Sequence, residues 1–567
     1  MGSTNTLLQL IFSSALSGAA IHQLFRTHEP TRATLPLYLT LLFLSPFCLS
    51  VAISSDNSTP LSTPLSYISF FACLIASIIT YRLSPYHPLA DIPGPRLFKI
   101  SKLWRAYICW TGEQHRALKA LHDEYGTIVR TGPNEVSIID VFSMKAVLGP
   151  DGLPKGQGYQ VRRDVRTEGS LLELIGDPHA ARRRIWNRGM STESLREYEV
   201  IIARRANQLV EALQARDKID LAKWLGYFTV DFMADMAFGG TAGPQMLENG
   251  CDKLGLLSLI EVAAKTSEIL THISWISLLP GYQTVLAKNV QRMLDFGREW
   301  SNSRVTSGAQ TKDLWYHLTD EAGIEKTPPS RETVTSDSAL AIVAGSDTTA
   351  SAMTCLFWFL LANPECYKRL QREVDEVYPP DEDAMDTSKH PRMKYLGACL
   401  NETLRLIPPV PSGGPRTVPR GSGGKELAGH FLPEGTQVYI PPYSVHRRPY
   451  HFYPKTESFL PSRWLSDHEF NPTSNAPSDP RRSADGAGEE EILNTEAFIP
   501  FSYGPTSCVA KNLARREMMM VIVLLIQRFH FRFEEEFEWE TWLDGIQDYF
   551  VALRKPLNVR VISRPRC

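Results

Sequence analysis

The chain has 567 residues, with 60 Lys or Arg and 62 Asp or Glu, so its net charge is −2 at pH 7. This near balance argues against a nucleic-acid partner. Its nine cysteines show no C-x-x-C pairing and no regular spacing, so neither a disulfide framework nor a zinc site is indicated. This cysteine usage suits a reducing environment.

Apolar runs dominate the amino-terminal region, and residues 1–84 are predicted to be a membrane anchor with two to three transmembrane helices. Leu35–Ile53 and Leu65–Leu83 approach the roughly 20 apolar residues needed to cross a bilayer. Leu7–Ile21 is shorter, which leaves its crossing open. Basic residues near the spans place the loop after the first run and the region after the third on the cytosolic side. These residues are Arg26, Arg32, Arg82, Arg96 and Lys99.

The segment Ser54–Pro64 is predicted to face the lumen, and its sequon Asn57-Ser58-Thr59 makes Asn57 a candidate glycosylation site. Residues 85–96 are proline-rich and predict a stiff, extended hinge. Residues 97–567 are then expected to form one large domain. Within it, residues 470–494 are rich in Ser, Pro, Asp, Gly and Glu, which predicts a disordered surface insertion.

A basic helix is predicted over residues 177–188, where the sequence reads DPHAARRRIWNR. His179 and Arg183 are four residues apart and therefore share one face of that helix. For the other arginines a solvated basic face is an equally good interpretation. Those arginines are Arg182, Arg184 and Arg188.

An almost wholly apolar run extends from Ser338 to Leu361 and carries Gly345-Ser346-Asp347-Thr348 in its middle. A helix that is apolar all round is buried or spans a membrane. An acid–alcohol pair is costly in such a helix and needs a reason. A transmembrane helix is disfavoured because Asp347 would lie at bilayer depth. The start of a second helix is disfavoured because the apolar run continues on both sides.

A Glu-x-x-Arg sequence occurs at Glu402 and Arg405, three residues apart on one helix face, where the two side chains can form an ion pair. A solvated surface pair is the more common outcome for such a spacing. Two further arginines follow it. Arg416 comes after a proline, and Arg463 lies in the segment 457–464, which reads ESFLPSRW.

The most informative stretch is Phe501-Ser-Tyr-Gly504-Pro-Thr-Ser-Cys508-Val-Ala510, just before a long buried helix predicted from Lys511. An aromatic residue, a glycine and a small residue at these spacings predict a tight loop around a metal-bound thiolate. A cysteine at a helix N-terminus has its thiolate favoured by the helix dipole. The alternative is an inert buried cysteine.

This loop resembles the haem-binding loop of the cytochrome P-450 family, Phe-x-x-Gly-x-Arg-x-Cys-x-Gly. Thr506 stands where the family has an arginine, and Ala510 stands where it has a glycine. The four segments described before the loop also resemble the family's segments, in the same order and spacing. The chain from about residue 91 to 556 is therefore identified as a member of the family, of the microsomal type, with features of its fungal members.

The resemblance implies a mainly α fold with small β-sheets, the cytochrome P-450 fold, preceded by transmembrane helices. It implies haem b (iron protoporphyrin IX), with Cys508 as the axial iron ligand. Phe501 and Gly504 would shape the loop, and the propionates would be held by His179, Arg183 and Arg416 in place of the missing arginine. Glu402, Arg405 and Arg463 would form a buried structural cluster, and Asp347 and Thr348 would relay protons to dioxygen.

The implied reaction is a monooxygenation, in which one oxygen atom from O2 enters a lipophilic small molecule. Terpenoids and fused aromatics are the expected substrates, in secondary metabolism or xenobiotic oxidation. Electrons would come from NADPH through a cytochrome reductase, with cytochrome b5 as a second candidate donor. The catalytic domain would face the cytosol at the endoplasmic reticulum membrane, and its basic helix, with Lys511, Arg515 and Arg516, would dock the acidic donor.

Small residues dominate the predicted pocket walls, which suggests room for a ring system. The predicted walls are Ala341, Ala344, Gly345, Val410 to Gly414, and the stretch near Tyr549-Phe550. Two alternative functions stay open at this point. One is an oxygen-independent rearrangement enzyme of the same fold, which the Asp347-Thr348 pair disfavours because such chemistry needs no proton relay. The other is a non-catalytic haem protein.

Overall fold

A computed structural model describes residues 2–28, 33–53, 61–160, 169–240, 243–278, 282–308, 311–465 and 491–564. Asn57 and most of the predicted insertion, up to residue 490, lie outside the described residues. The last part of that insertion is ordered, so the prediction was wrong there. Ile492–Leu493 pairs with Phe452–Tyr453, and the Asn494 side chain accepts a hydrogen bond from the Glu496 amide.

The fold is mostly helical. The α-helices are α1 (Gly2–Thr27), α2 (Leu35–Ile53), α3 (Ser62–Leu83), α4 (Arg96–Ile100), α5 (Leu103–Thr111), α6 (Gln114–Tyr125), α7 (Val141–Leu148), α8 (Gln157–Gln160), α9 (Gly176–Gly189), α10 (Thr192–Gln214), α11 (Leu221–Phe238), α12 (Met246–Asn249), α13 (Leu256–His272), α14 (Tyr282–Ser307), α15 (Leu314–Leu318), α16 (Arg331–Ala362), α17 (Pro364–Val377), α18 (Lys394–Leu406), α19 (Pro442–Val445) and α20 (Lys511–Arg528). Short 3-10 helices occupy Ser274–Leu278, Thr387–Arg392, Pro461–Trp464, Thr495–Ala497, Gly504–Thr506 and Trp542–Gly545.

The strands are short and form small sheets. They are β1 (Ile128–Gly132), β2 (Glu135–Ile138), β3 (Lys218–Asp220), β4 (Arg416–Thr417), β5 (Lys425–Leu427), β6 (His430–Leu432), β7 (Gln437–Tyr439), β8 (Phe452–Tyr453), β9 (Ile492–Leu493), β10 (Phe529–Phe533), β11 (Gln547–Tyr549), β12 (Val551–Leu553) and β13 (Asn558–Ser563). One sheet has the order β1-β2-β7-β4 and a second has the order β10-β13-β3. The pairs β5-β6, β8-β9 and β11-β12 are two-stranded. The predicted fold class, mainly α with small β-sheets, is therefore confirmed.

The first three helices pack against one another at the amino terminus. Stretches of 22, 19 and 22 residues in α1, α2 and α3 are long and apolar enough to cross a membrane. The hydroxyls of Ser14 and Ser66 lie 2.8 Å apart between α1 and α3. A Cβ at Gly18 would lie 2.4 Å from the Phe70 carbonyl oxygen, so glycine permits the two helices to approach closely. The first apolar run is thus part of a helix as long as its neighbours.

The long central helix is α16, which follows an N-cap at Ser330, whose side chain accepts a hydrogen bond from the Thr333 amide. It too is long and apolar enough to cross a membrane, yet 67% of its most apolar window is buried inside the protein. Its burial against other helices explains a sequence that is apolar all round. The interpretation of this run as a core helix, and not a membrane span, is confirmed.

Candidate active site

The loop around Cys508 is closed by its own backbone. The Cys508 amide donates to the Phe501 carbonyl at 2.9 Å, and the Ser507 amide donates to Gly504 at 3.0 Å. Gly504 has a φ of +72°, and a Cβ there would lie 2.1 Å from the carbonyl oxygen of Leu148 at the end of α7. A side chain at position 504 would therefore push the loop away from α7. The chain then enters α20 at Lys511.

The Cys508 side chain lines a large internal cavity, and it is accessible from that cavity although it is surrounded by protein. Burial raises the pKa of Cys508, while a hydrogen bond from the Ala510 amide and the charges of Arg183 and Lys511 lower it in part. Without a bound cation the thiol is therefore the favoured form. A metal ion at the sulfur would deprotonate it outright.

Basic side chains gather at one edge of the same cavity. Arg182 and Trp186 donate to Asp337 of α16 at 2.9 and 3.0 Å and so fix α9 in place. This places His179 and Arg183 at the cavity, where Arg183 donates to the Ser507 carbonyl at 2.5 Å. The structure thus brings together two of the three predicted propionate contacts beside the cysteine loop.

The third predicted contact, Arg416, sits on β4 and reaches the position of the missing family arginine. Its Nη2 donates to Thr506 Oγ1 at 2.6 Å, whereas its Nε is buried without a hydrogen-bond partner in the described part of the chain. Arg416 is also bridged through its backbone to Lys155, which lines the cavity. Sequence reasoning missed Lys155, because it lies in an irregular segment with no motif.

These basic groups repel one another. Burial, together with the charges of Arg416 and Arg183, lowers the pKa of Lys155 to about 7. Burial and the charges of Lys155, Arg183 and Arg416 lower the pKa of His179 to about 4. Such a cluster would be stabilised by an anion with two negative charges. The two propionates of haem fit it, and the accessible cysteine sulfur fits the iron.

Thr348 of α16 lines the same cavity as the cysteine loop, and its hydroxyl donates to the Ala344 carbonyl at 2.7 Å. Gly345 also lines the cavity, and the end of Met233 fills the space that a Cβ there would need. Asp347 is not a lining residue. Its carboxylate accepts a hydrogen bond from Arg554 at 2.7 Å, a partner that sequence reasoning did not find.

Glu402, Arg405 and Arg463 meet in the core, with side chains that are 0% exposed. Glu402 is 2.9 Å from Arg405 Nε and 3.0 Å from Arg463 Nε, and it also accepts a hydrogen bond from Trp464. Burial alone would raise the pKa of Glu402, but the two arginines outweigh it and lower the pKa. Arg405 also donates to the carbonyls of His446 and Thr456, so the cluster connects three chain segments.

The cavity has a volume of about 690 Å³. The predicted wall residues that line it are Ala341, Ala344, Gly345, Val410, Gly413, Gly414, Tyr549 and Phe550. Pro411 and Ser412, also predicted, do not line it, and the Ser412 hydroxyl is hydrogen-bonded to Asp548 instead. Glu517 of α20 lines the cavity as well, and burial raises its pKa well above the usual value.

The arginines of the basic face predicted to dock an electron donor are hydrogen-bonded to other side chains of the protein. Its arginines have polar partners within the protein: Arg182 has Asp337, Arg184 and Arg188 have Glu325, Arg515 has Asn401, and Arg516 has Glu199. These partners lie far away in the sequence, so sequence reasoning did not find them, and docking of an electron donor at this face stays a prediction. Lys511 is exposed.

A cysteine loop facing a cavity edged by basic groups, under a long buried helix, is the arrangement expected of a haem-thiolate protein. Comparison with known families agrees with this class. The family model described as Cytochrome P450 matches residues 92–558, and the chain belongs to the cytochrome P450 family. It is accordingly a monooxygenase-family enzyme whose cofactor is haem.

Similar proteins come from fungi. Cytochrome P450 67 of Uromyces fabae is 30% identical over 96% of this chain and 98% of its own length. Cytochrome P450 monooxygenase FCK2 of Fusarium pseudograminearum is 31% identical over 87% of this chain and 85% of its own length. Tryprostatin B 6-hydroxylase of Aspergillus fumigatus is 28% identical over 85% of this chain and 82% of its own length.

Proposed function

We propose that this chain is a membrane-anchored monooxygenase that inserts one oxygen atom from O2 into a lipophilic small molecule, and that the Cys508 thiolate would hold the haem iron. The observation that carries the proposal is the accessible Cys508 sulfur at the wall of a large cavity, with the α16 residue Thr348 on the same cavity. Haem bound at this thiolate supplies the oxygen-activating redox chemistry.

The residues around the Cys508 thiolate stabilise the charges of the sulfur and of the propionates. The Ala510 amide donates to the Cys508 sulfur and moderates its electron donation. His179, Arg183 and Arg416, joined by Lys155, would bind the propionates and so offset the replacement of the family arginine by Thr506. The Glu402, Arg405 and Arg463 cluster keeps the core beneath the loop rigid.

Protons reach the oxygen site past Thr348 and Asp347. The Thr348 hydroxyl can hold a water in the cavity, because its oxygen accepts while its proton is given to Ala344. Asp347, next to it in the chain, supplies an ionisable group that exchanges protons. This pair favours oxygen-dependent chemistry over a rearrangement that needs no proton relay.

The substrate is a lipophilic ring compound, a terpenoid or a fused aromatic. Small residues of α16 and α13 leave room for a rigid ring system, among them Ala263, Ala264 and Ala344. Apolar pockets with few polar groups bind such molecules mainly through burial of their surface. The relative named as a hydroxylase of tryprostatin B supports hydroxylation as the reaction.

Electrons come from NADPH through a membrane-bound reductase, with cytochrome b5 as a second donor, and the exposed Lys511 contributes to the docking site. Residues 1–84 anchor the protein in the endoplasmic reticulum membrane, residues 85–96 are the hinge, and the catalytic domain faces the cytosol. Arg82, at the end of α3, donates to the Ile100 carbonyl at 2.5 Å and so connects the anchor to the domain. A cytosolic arginine at this point agrees with the positive-inside rule.

The experiment is mass spectrometry of products from the reductase-coupled protein with terpenoids, fused aromatics and fatty acids. On an accepted substrate, Thr348→Ala should lower the product formed per NADPH about tenfold and release hydrogen peroxide. This loss is smaller than the about 10²–10⁴-fold of general acid–base catalysis, because water enters the opened space.

Thr354→Ala is the matched control. Thr354 lies on the same helix and donates to the Ala350 carbonyl at 2.7 Å, just as Thr348 donates to Ala344, but it does not line the cavity. Its product yield should equal that of the wild type. Equal yields for the Thr348 variant as well would contradict the proton relay, and the absence of any oxygenated product across the panel would contradict the proposed substrate class.

A further inference from the structure

The hairpin of β11 and β12 reaches the cavity with its tip. Tyr549 pairs with Val551, which places Phe550 at the turn with a φ of +71°. A positive φ is strained for an aromatic residue, so the surrounding contacts must hold the turn in place. Tyr549, Phe550 and Val551 all line the cavity. The position of this hairpin therefore decides how much space a ligand has.

Two polar contacts tie the hairpin to α16. The Ser351 hydroxyl donates to the Ala552 carbonyl at 2.9 Å. Arg554, just after β12, donates through Nη1 to the Asp347 carboxylate at 2.7 Å. Asp347 and Ser351 are four residues apart and share one helix face. The face of α16 that carries Asp347 is thus joined directly to the hairpin.

Arg554 is enclosed. Its side chain is 10% exposed and that of Asp347 is 13% exposed. The Arg554 Nε is buried without a hydrogen-bond partner in the described part of the chain, and a Cβ at Gly226 of α11 would lie 3.2 Å from its Nη2. A guanidinium in such a place depends on its carboxylate, since breaking a buried pair leaves an uncompensated charge. Arg554 therefore sets the direction of the Asp347 carboxylate.

The direction of the Asp347 carboxylate matters because Asp347 and Thr348 are adjacent in the chain but contact different parts of the protein. Thr348 lines the cavity, whereas Asp347 turns toward the hairpin. We propose that Arg554 is a positioning residue that links the placement of Phe550 in the cavity to proton supply from Asp347. The inference rests on the proposed function, which assigns substrate binding to one end of this link and proton relay to the other.

The test compares Arg554→Met, Arg554→Lys and the control Arg560→Met in the haem-loaded, full-length protein. Arg560 is an arginine of β13, the next strand in the chain, and pairs with Asp217 at 3.0 Å on the surface, where both side chains are exposed. Two quantities are measured. The first is the affinity for 4-phenylimidazole relative to imidazole, from spectral titration. The second is the hydrogen peroxide released per NADPH consumed with reductase and 7-ethoxycoumarin.

In Arg554→Met the preference for 4-phenylimidazole should fall about fivefold, the effect expected when neighbouring coupled groups are separated. Peroxide per NADPH should rise in the same variant. Arg554→Lys keeps the charge and should recover most of both values, and Arg560→Met should change neither. Adding Asp347→Asn to Arg554→Met should cause no further loss of the preference for 4-phenylimidazole, because each change removes the same contact between Arg554 and Asp347. If Arg554→Met does not retain haem, Arg554→Lys and Asp347→Asn replace it and are compared with the wild type. In each of these two variants the preference for 4-phenylimidazole should fall and the peroxide per NADPH should rise together, by less than expected for Arg554→Met.

An unchanged preference in Arg554→Met, or in both replacement variants, would overturn the inference. A rise in peroxide alone would also overturn it, since Arg554 would then act on the charge of Asp347 without the hairpin. Failure of the proposed function is a separate result: the wild-type protein with reductase would form no oxygenated product from any compound of the panel, whatever its preference for 4-phenylimidazole.

Discussion

Replacing Lys155 with methionine should accelerate haem loss, because this ammonium lies at the basic edge of the cavity. Its Nζ donates to the carbonyls of Leu171 and Leu172 at 2.9 Å each. An ammonium has three N–H donors, so one is left for a propionate oxygen. Methionine keeps the length and apolar character of the side chain and removes only the charged end.

The size of the effect follows from one lost hydrogen bond between charged groups. Such a bond contributes about 1.5–3 kcal/mol, which corresponds to about 10- to 150-fold in the dissociation rate. Burial, and after it repulsion by Arg416 and Arg183, lowers the pKa of Lys155 to about 7. Its removal relieves that repulsion, so we expect the lower end of the range, about tenfold.

The assay is transfer of haem from the variant to excess apomyoglobin, followed by absorbance. Lys145→Met is the matched control, because this substitution removes the same charge from an exposed site. Lys145 forms an ion pair with Glu496 at 2.9 Å. The control should lose haem at the wild-type rate. A Lys155 variant within twofold of the wild type would refute the role of this residue, and equal acceleration in both variants would point to net charge alone.

Three further predictions concern the ligand, the anchor and a buried acid. Cys508→His should abolish the thiolate-type spectrum of the reduced carbon monoxide complex and all turnover; a retained spectrum would mean that another cysteine binds the iron. Deletion of residues 1–84 should leave the native spectrum in a protein that no longer sediments with membranes, whereas loss of the fold would make the anchor part of the core. Burial raises the pKa of Asp548 from 3.8 to about 7, so between these values the folded chain keeps a proton that the unfolded chain releases, and stability falls by up to about 4 kcal/mol as pH rises. Asp548→Asn should flatten the dependence of Tm on pH from 5 to 8, and parallel curves for variant and wild type would contradict this.

Features set by neighbours in the chain could be predicted from the sequence. The spacing of Phe501, Gly504 and Cys508 is a property of one loop, and the helix that follows shows its apolar pattern directly. The long run around Asp347 was identified as a buried helix because an acid in a membrane span is costly. Glu402 and Arg405 share a face because they are three residues apart. In each case the physics acts within about two helical turns.

Contacts between distant segments were decided only by the tertiary structure. Arg416 lies 90 residues from Thr506, and Arg554 lies 207 residues from Asp347, so no local pattern connects either pair. Lys155 reaches the cavity because its backbone is bridged to Arg416. The partners of the basic face were not predicted for the same reason, since they come from elsewhere in the chain. Charge and spacing along a sequence indicate which groups can pair, whereas folding decides which of them meet.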